Sequence, residues 1–78
     1  MEMKTAFSKI IQDERIDRDL NQTQMAEILN TNQQKISRLE LGQFEPSLQD
    51  IENYCRYFDL SADYVLGFTS KKAPFPKD

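Results

Sequence analysis

Backbone breakers are rare in this 78-residue chain and fall in two places only. Glycine occurs at Gly42 and Gly67, and proline at Pro46, Pro74 and Pro76. Positions 5–41 contain neither. Glycine and proline mark turns and helix ends, so about half the chain is free to run as helix with few forced interruptions. No long alternation of apolar and polar residues competes with that reading, and no internal repeat or low-complexity tract is present. The expected fold class is all-α.

Apolar spacing and capping residues divide the chain into five segments. In residues 5–18, Phe7, Ile10 and Ile11 share one face, with Glu14 at the next position of the same stripe. The mixed-sign run of residues 13–19 reads as a solvated helix end and loop. Asn21 is a good N-cap, and Gln24 three residues later completes an approximate capping box. Met25, Ile28 and Leu29 follow as an apolar face. Asn32 is a second N-cap, followed by Ile36 and Leu39, and Gly42 suits a left-handed stop after Leu41. Ser47 then caps a segment with Leu48, Ile51, Cys55 and Phe58 at helical spacing, and Ser61 a short one over residues 62–66 that closes at Gly67. Residues 1–68 are read as one domain and 69–78, with two prolines and three lysines, as an extended tail.

The second and third segments carry the functional signal. Only Asn30 and Thr31 separate Leu29 from the cap at Asn32. So short a linker forces two helices to cross sharply, and Asn30 stands where a left-handed residue is needed, a conformation asparagine tolerates. That is a helix-turn-helix. The next segment opens Asn32-Gln33-Gln34-Lys35, without the acid that usually gathers at a helix N-terminus. A positive, amide-rich helix end suits a polyanion, and glutamine can bond adenine through both atoms of its amide in the major groove. The alternative is a polar solvated face, and this segment by itself leaves both readings open.

Other chemistries find little support. There is no histidine and one cysteine, so neither a disulfide nor a metal site of ordinary composition is expected, and no cofactor. Cys55 reads as a small buried residue. The carboxylate pairs Asp13/Glu14 and Asp17/Asp19 lie in a charge-mixed stretch and read as solvated surface. An enzyme is not expected, and no small-molecule substrate is evident. No apolar run reaches the ~20 residues of a membrane span, and residues 1–4 do not open a signal peptide.

The pieces together resemble a known family. Leu20-Asn21-Gln22-Thr23-Gln24-Met25-Ala26-Glu27-Ile28-Leu29 is similar to the second-helix signature of the Cro and phage-repressor proteins, the lambda-repressor-like or Xre-like helix-turn-helix regulators. Ile36-Ser37-Arg38-Leu39-Glu40, Gly42 and Glu45-Pro46-Ser47-Leu48 resemble that family's third helix and following loop. Phe58-Asp59-Leu60-Ser61-Ala62-Asp63-Tyr64-Val65-Leu66-Gly67 resembles its fifth-helix ending. The likeness covers residues 7–67, in family order.

The resemblance implies five helices around one core and a cytoplasmic repressor that binds double-stranded DNA as a homodimer, with no membrane partner. Gln22, and Asn21 besides its cap, would meet phosphate. Asn32, Gln33, Gln34 and Arg38 would face base edges or nearby phosphates, beside an exposed Lys35. The backbone around Gly42 and Gln43 would approach phosphates. Arg15 and Glu40 would form a buried ion pair, which the position of Glu40 also motivates, since a carboxylate in the last turn of a helix opposes the dipole. Tyr57, Phe58, Tyr64 and Phe68 are either core and rim packing or a dimer contact of the kind the family builds around helix five. A protein-interaction module on the same fold, such as an antitoxin or a regulator-binding subunit, is the rival.

Three departures stand out. Asn30 replaces the family's usual glycine, Glu14 falls where an apolar residue is usual, and Phe44 lies in a loop that is often basic. The loop of residues 42–45 has no Lys or Arg, so phosphate contact there would rest on backbone amides. Net charge is −3, unusual for a nucleic-acid binder. The excess is local. Residues 44–70 carry Glu45, Asp50, Glu52, Asp59 and Asp63 against Arg56 alone, whereas residues 20–43 balance Glu27 and Glu40 with Lys35 and Arg38. The tail lysines Lys71, Lys72 and Lys77 would add phosphate contacts if they reached DNA.

Overall fold

Each helix begins where a side-chain oxygen can take up an amide that the helix itself leaves unpaired. In the computed structural model, which describes residues 5–43 and 45–76, the elements are α1 (Ala6–Asp17), α2 (Gln22–Ile28), α3 (Gln33–Leu41), α4 (Leu48–Phe58) and α5 (Ala62–Val65). The readings made on residues 1–4, Phe44 and Lys77 lie outside the described residues. Thr5, Asn21, Asn32, Ser47 and Ser61 are the N-caps, accepting from the amides of Ser8, Gln24, Lys35, Asp50 and Tyr64. Such caps are worth about 1 kcal/mol each. Asn21 with Gln24, and Ser47 with Asp50, close full capping boxes. Gly42 ends α3 in the left-handed conformation, at φ 73°. No strand occurs among the described residues, and no described helix is long and apolar enough to cross a membrane.

The apolar faces meet in one cluster. Phe7 and Ile11 of α1, Met25 and Ala26 of α2, Ile36 and Leu39 of α3, Tyr54, Cys55 and Phe58 of α4, with Leu60 and Val65, are all buried. Tyr54 stands at the centre, edge-on to Phe7 at 5.8 Å and tilted against Phe58 at 5.7 Å. Edge-to-face pairs add about 0.5–1.5 kcal/mol beyond the area they bury. The Tyr54 hydroxyl is the one buried side-chain polar atom without a hydrogen-bond partner among the described residues, and burial pushes its pKa up, keeping the phenol neutral. Cys55 is a free, buried thiol whose pKa burial also raises, so it packs as a small apolar residue.

Glu14 occupies an apolar slot, 5% exposed, and stays charged because two cations reach it. Arg18 bonds its carboxylate at 2.6 Å and Lys72 lies at 2.9 Å. Burial alone would raise the carboxyl's pKa, but the two hydrogen-bonded cations outweigh it and hold it below the ordinary value. Lys72 belongs to the segment read as an extended tail. Residues 71–76 carry no regular secondary structure but are docked on the domain. The Ala73 carbonyl accepts from the Ser61 amide at 2.8 Å, the Phe75 amide donates to Asp59 Oδ1 at 3.3 Å, and the Phe75 ring lies 4.8 Å under the Arg56 guanidinium. Lys72 is thereby drawn to α1 rather than left free to reach DNA.

Candidate nucleic-acid interface

The turn between α2 and α3 is built as the spacing demands. Asn30 adopts φ 58°, the left-handed region, while the Thr31 amide donates to Ala26 O at 2.8 Å and the Asn30 amide to Glu27 O at 3.2 Å. These bonds close the end of α2 and swing the chain directly into the cap at Asn32, whose Oδ1 accepts from the Lys35 amide at 2.9 Å. Met25, Ala26, Ile36 and Leu39 lock the two helices together in the core. The outer face of α3 is left to solvent. Gln33, Gln34 and Arg38 are all exposed, and no acid lies in the first turn. Arg38 makes no ion pair among the described residues.

Beneath this face lies a buried ion pair. Arg15 donates to Glu40 twice, from Nε to Oε2 at 2.7 Å and from Nη2 to Oε1 at 3.0 Å, and from Nη1 to the Leu20 carbonyl at 2.7 Å. Glu40 is 1% exposed. The fork is bidentate, the strong form of this contact, and the hydrogen-bonded Glu40 carboxylate raises the Arg15 pKa. The pair ties α1 to α3 and fixes the depth at which α3 sits.

The network continues to the surface. Gln22 Nε2 donates to Glu40 Oε1 at 3.1 Å, and Gln33 Nε2 donates to Gln22 Oε1 at 2.7 Å. Gln22 and Gln33, assigned separately from the sequence to phosphate and to bases, are thus joined to each other and to the ion pair. No local sequence signal announces this link, because its three members lie on two helices and meet only after the turn is formed.

Three expected contacts are placed differently. Lys35 does not stand free beside the recognition face. Its Nζ lies 2.8 Å from Asp50 of α4, whose carboxyl burial would raise but which Lys35 and the Ser47 cap hold below the ordinary value. The amides of Gly42 and Gln43 are not open to phosphate either. They donate to Leu39 O at 3.3 Å and Arg38 O at 2.9 Å, completing the C-terminal cap of α3. Phe58, named as a dimer contact, is 3% exposed, enclosed by Tyr54, Tyr57 and the Arg18 guanidinium 4.5 Å from its ring. It is core, with no free face for a partner. Tyr64 is half-buried against the same cluster, while Tyr57 and Phe68 are 42% and 77% exposed.

This arrangement matches known proteins. A family model described as helix-turn-helix covers residues 11–65. No curated protein sequence matches the chain. Among solved structures, the clp gene regulator ClgR from Corynebacterium glutamicum superposes with a TM-score of 0.71 at 24% identity, over 81% of this chain and 67% of that one. A second structure of ClgR gives 0.70 at 24% identity over 81% and 82%. The P22 c2 repressor, solved in complex with synthetic operator 9T, gives 0.71 at 20% identity over 77% and 91%. The five-helix order, the asparagine-turned α2–α3 pair and the family match over most of the chain agree: this chain belongs to the helix-turn-helix family, in its lambda-repressor-like group of DNA-binding transcription regulators.

Proposed function

We propose that this protein represses transcription by binding a palindromic DNA operator as a homodimer, in the cytoplasm. The observation that carries the reading is the outer face of α3, where exposed Gln33, Gln34 and Arg38 stand on an acid-free helix start. Glutamine and arginine are the side chains that pair bidentately with adenine and guanine edges. In a two-fold dimer, two such helices sit about 34 Å apart in successive major grooves. Phe68, just beyond α5, and Tyr57 are among the exposed apolar side chains and are assigned here to the pairing surface. Repression follows from occupying the promoter and needs no chemistry.

Charge placement shapes the affinity. Lys35 and Lys72 are engaged with Asp50 and Glu14, so phosphate contact rests on few side chains, Asn21, Gln22 and Arg38 foremost. Each phosphate neutralised contributes about 0.9 to the log-log salt slope, and a shallow slope is expected. The test is selection of duplexes from a random library at low salt, with wild type and Gln33→Ala in parallel. A two-fold symmetric site enriched by wild type, with discrimination lost at one base per half-site in the variant, supports the reading. If folded wild type enriches nothing, the reading fails. A protein-binding role is then favoured by the exposed Phe68 and by the open cleft of mixed polarity that Ile28, Tyr57, Asn53 and Arg56 line.

A further inference from the structure

We propose that Asp50 is an internal stand-in for DNA phosphate, holding Lys35 off the backbone and so lowering the chain's affinity for duplexes of any sequence. Lys35 belongs to the first turn of α3. Ile36, Leu39 and Glu40 face the core, and Gln34 and Arg38 stand exposed on the opposite side. At about 100° per residue, Lys35 falls on one flank of that outer face and Gln33 on the other. A lysine there has the flexible four-carbon stem to reach a phosphate at the edge of the groove that α3 enters. Instead its Nζ turns across to α4 and lies 2.8 Å from Asp50 Oδ1.

The burial of Asp50 keeps it there. The carboxylate side chain is 11% exposed, against 37% for Lys35. Its Oδ2 accepts from the Ser47 amide at 2.9 Å and closes the capping box of α4, so the fold fixes the carboxylate and it does not follow the lysine outward. Were Lys35 to leave for a phosphate, Asp50 would be a nearly buried charge with no cation paired to it among the described residues. The phosphate offers the same kind of charge-assisted bond that Lys35 already has. The net gain is one released counterion, worth about eightfold in affinity at about 0.1 M salt, and stranding a buried carboxylate costs more than that. An exposed pair would exchange cheaply; this one does not. Asp50 thus sets how strongly the chain holds DNA without touching it, and buffers operator occupancy against changes in ionic strength.

The inference rests on the DNA-binding function proposed above, and its test separates the two. Binding to the duplex selected by wild type and to a scrambled duplex of equal length is measured across a salt series. Asp50→Asn removes the charge but keeps an oxygen for the Ser47 amide, so the cap of α4 survives. It frees Lys35 and is expected to steepen the log-log salt slope by about 0.9 per protomer and to tighten both duplexes about eightfold per protomer at about 0.1 M salt. The preference between the duplexes should stay as it was, since phosphate contacts carry no sequence information. Lys35→Met combined with Asp50→Asn removes both charges and leaves the net charge unchanged. It is expected to restore the wild-type slope and an affinity within about twofold of wild type, and its difference from Asp50→Asn reads Lys35 alone. If Asp50→Asn does not fold, the double variant decides: binding as wild type supports the inference, while weaker binding with a shallower slope shows Lys35 already on DNA and overturns it. An unchanged slope in folded Asp50→Asn also overturns it, with DNA binding left intact. A folded wild type that binds no duplex overturns both.

Discussion

Replacing Arg15 by alanine strips a carboxylate that is 1% exposed of its counter-charge. Glu40 would keep a single donor, the Gln22 amide at 3.1 Å, in place of the 2.7 and 3.0 Å charged bonds it loses. The Leu20 carbonyl would lose its donor as well, though it is close enough to solvent for water to replace it. Removing one partner of a buried pair typically costs about 3–5 kcal/mol. A domain of this length has of the order of 4–12 kcal/mol in all, so the variant should lie near its unfolding threshold. At about 4–8 °C per kcal/mol for a domain of this size, the melting temperature should fall by at least about 12 °C. Urea unfolding followed by far-ultraviolet circular dichroism measures the loss directly. Arg15→Met combined with Glu40→Leu removes both charges and should recover most of the stability, because the desolvation of two ions disappears with them. A loss under about 1 kcal/mol in Arg15→Ala, or a double variant less stable than either single one, would refute the argument.

Three further expectations follow from the packing. The Glu14 and Asp50 carboxyls both lie below their ordinary values in the folded chain, so their stabilisation is complete above about pH 4.5 and is lost as pH falls through the lowered values; urea midpoints should drop with acidification in that range, and Glu14→Gln should flatten the profile. Deleting residues 69–78 leaves the Ser61 amide without Ala73 and Glu14 with Arg18 alone, at a cost of about 1–3 kcal/mol, whereas an unchanged thermal melt would show the docked segment to be energetically idle. Tyr54→Phe removes a buried hydroxyl that has no partner among the described residues and should leave stability equal or raise it by up to about 1 kcal/mol, which a melting curve decides.

What the sequence made legible was local. The caps at Asn21, Asn32, Ser47 and Ser61 and the left-handed residues Asn30 and Gly42 act on neighbours within four positions, and each stands in the structure where its chemistry predicts. The meeting of Arg15 with Glu40 was anticipated from the family resemblance, which the awkward position of Glu40 in the last turn of its helix supports. Glu14 was equally awkward, yet its second cation, Lys72, arrives from the far end of the chain. Lys35 read as free because Asp50 becomes its neighbour only once α4 folds back over the turn. The loop amides of Gly42 and Gln43 read as open because the glycine cap was seen as a stop, without following where its N–H groups point. Phe58 was left open between core and dimer contact because an aromatic cluster on one helix looks the same from either side, and its burial settles it as core.

The helices are short, from four to twelve residues, and isolated helices below about 12–15 residues are marginal in water even for good helix formers. Side-chain caps mark where each one starts, but only the shared cluster around Tyr54 makes any of them persist. The fold should therefore melt as a single cooperative unit, without a surviving fragment that retains α2 and α3. A peptide cut to those two helices would be unstructured, and denaturant should abolish operator affinity and helicity at one common midpoint. For a cell this makes the regulator binary at the level of each molecule, since a chain that has lost its packing has no recognition surface left to misread DNA with.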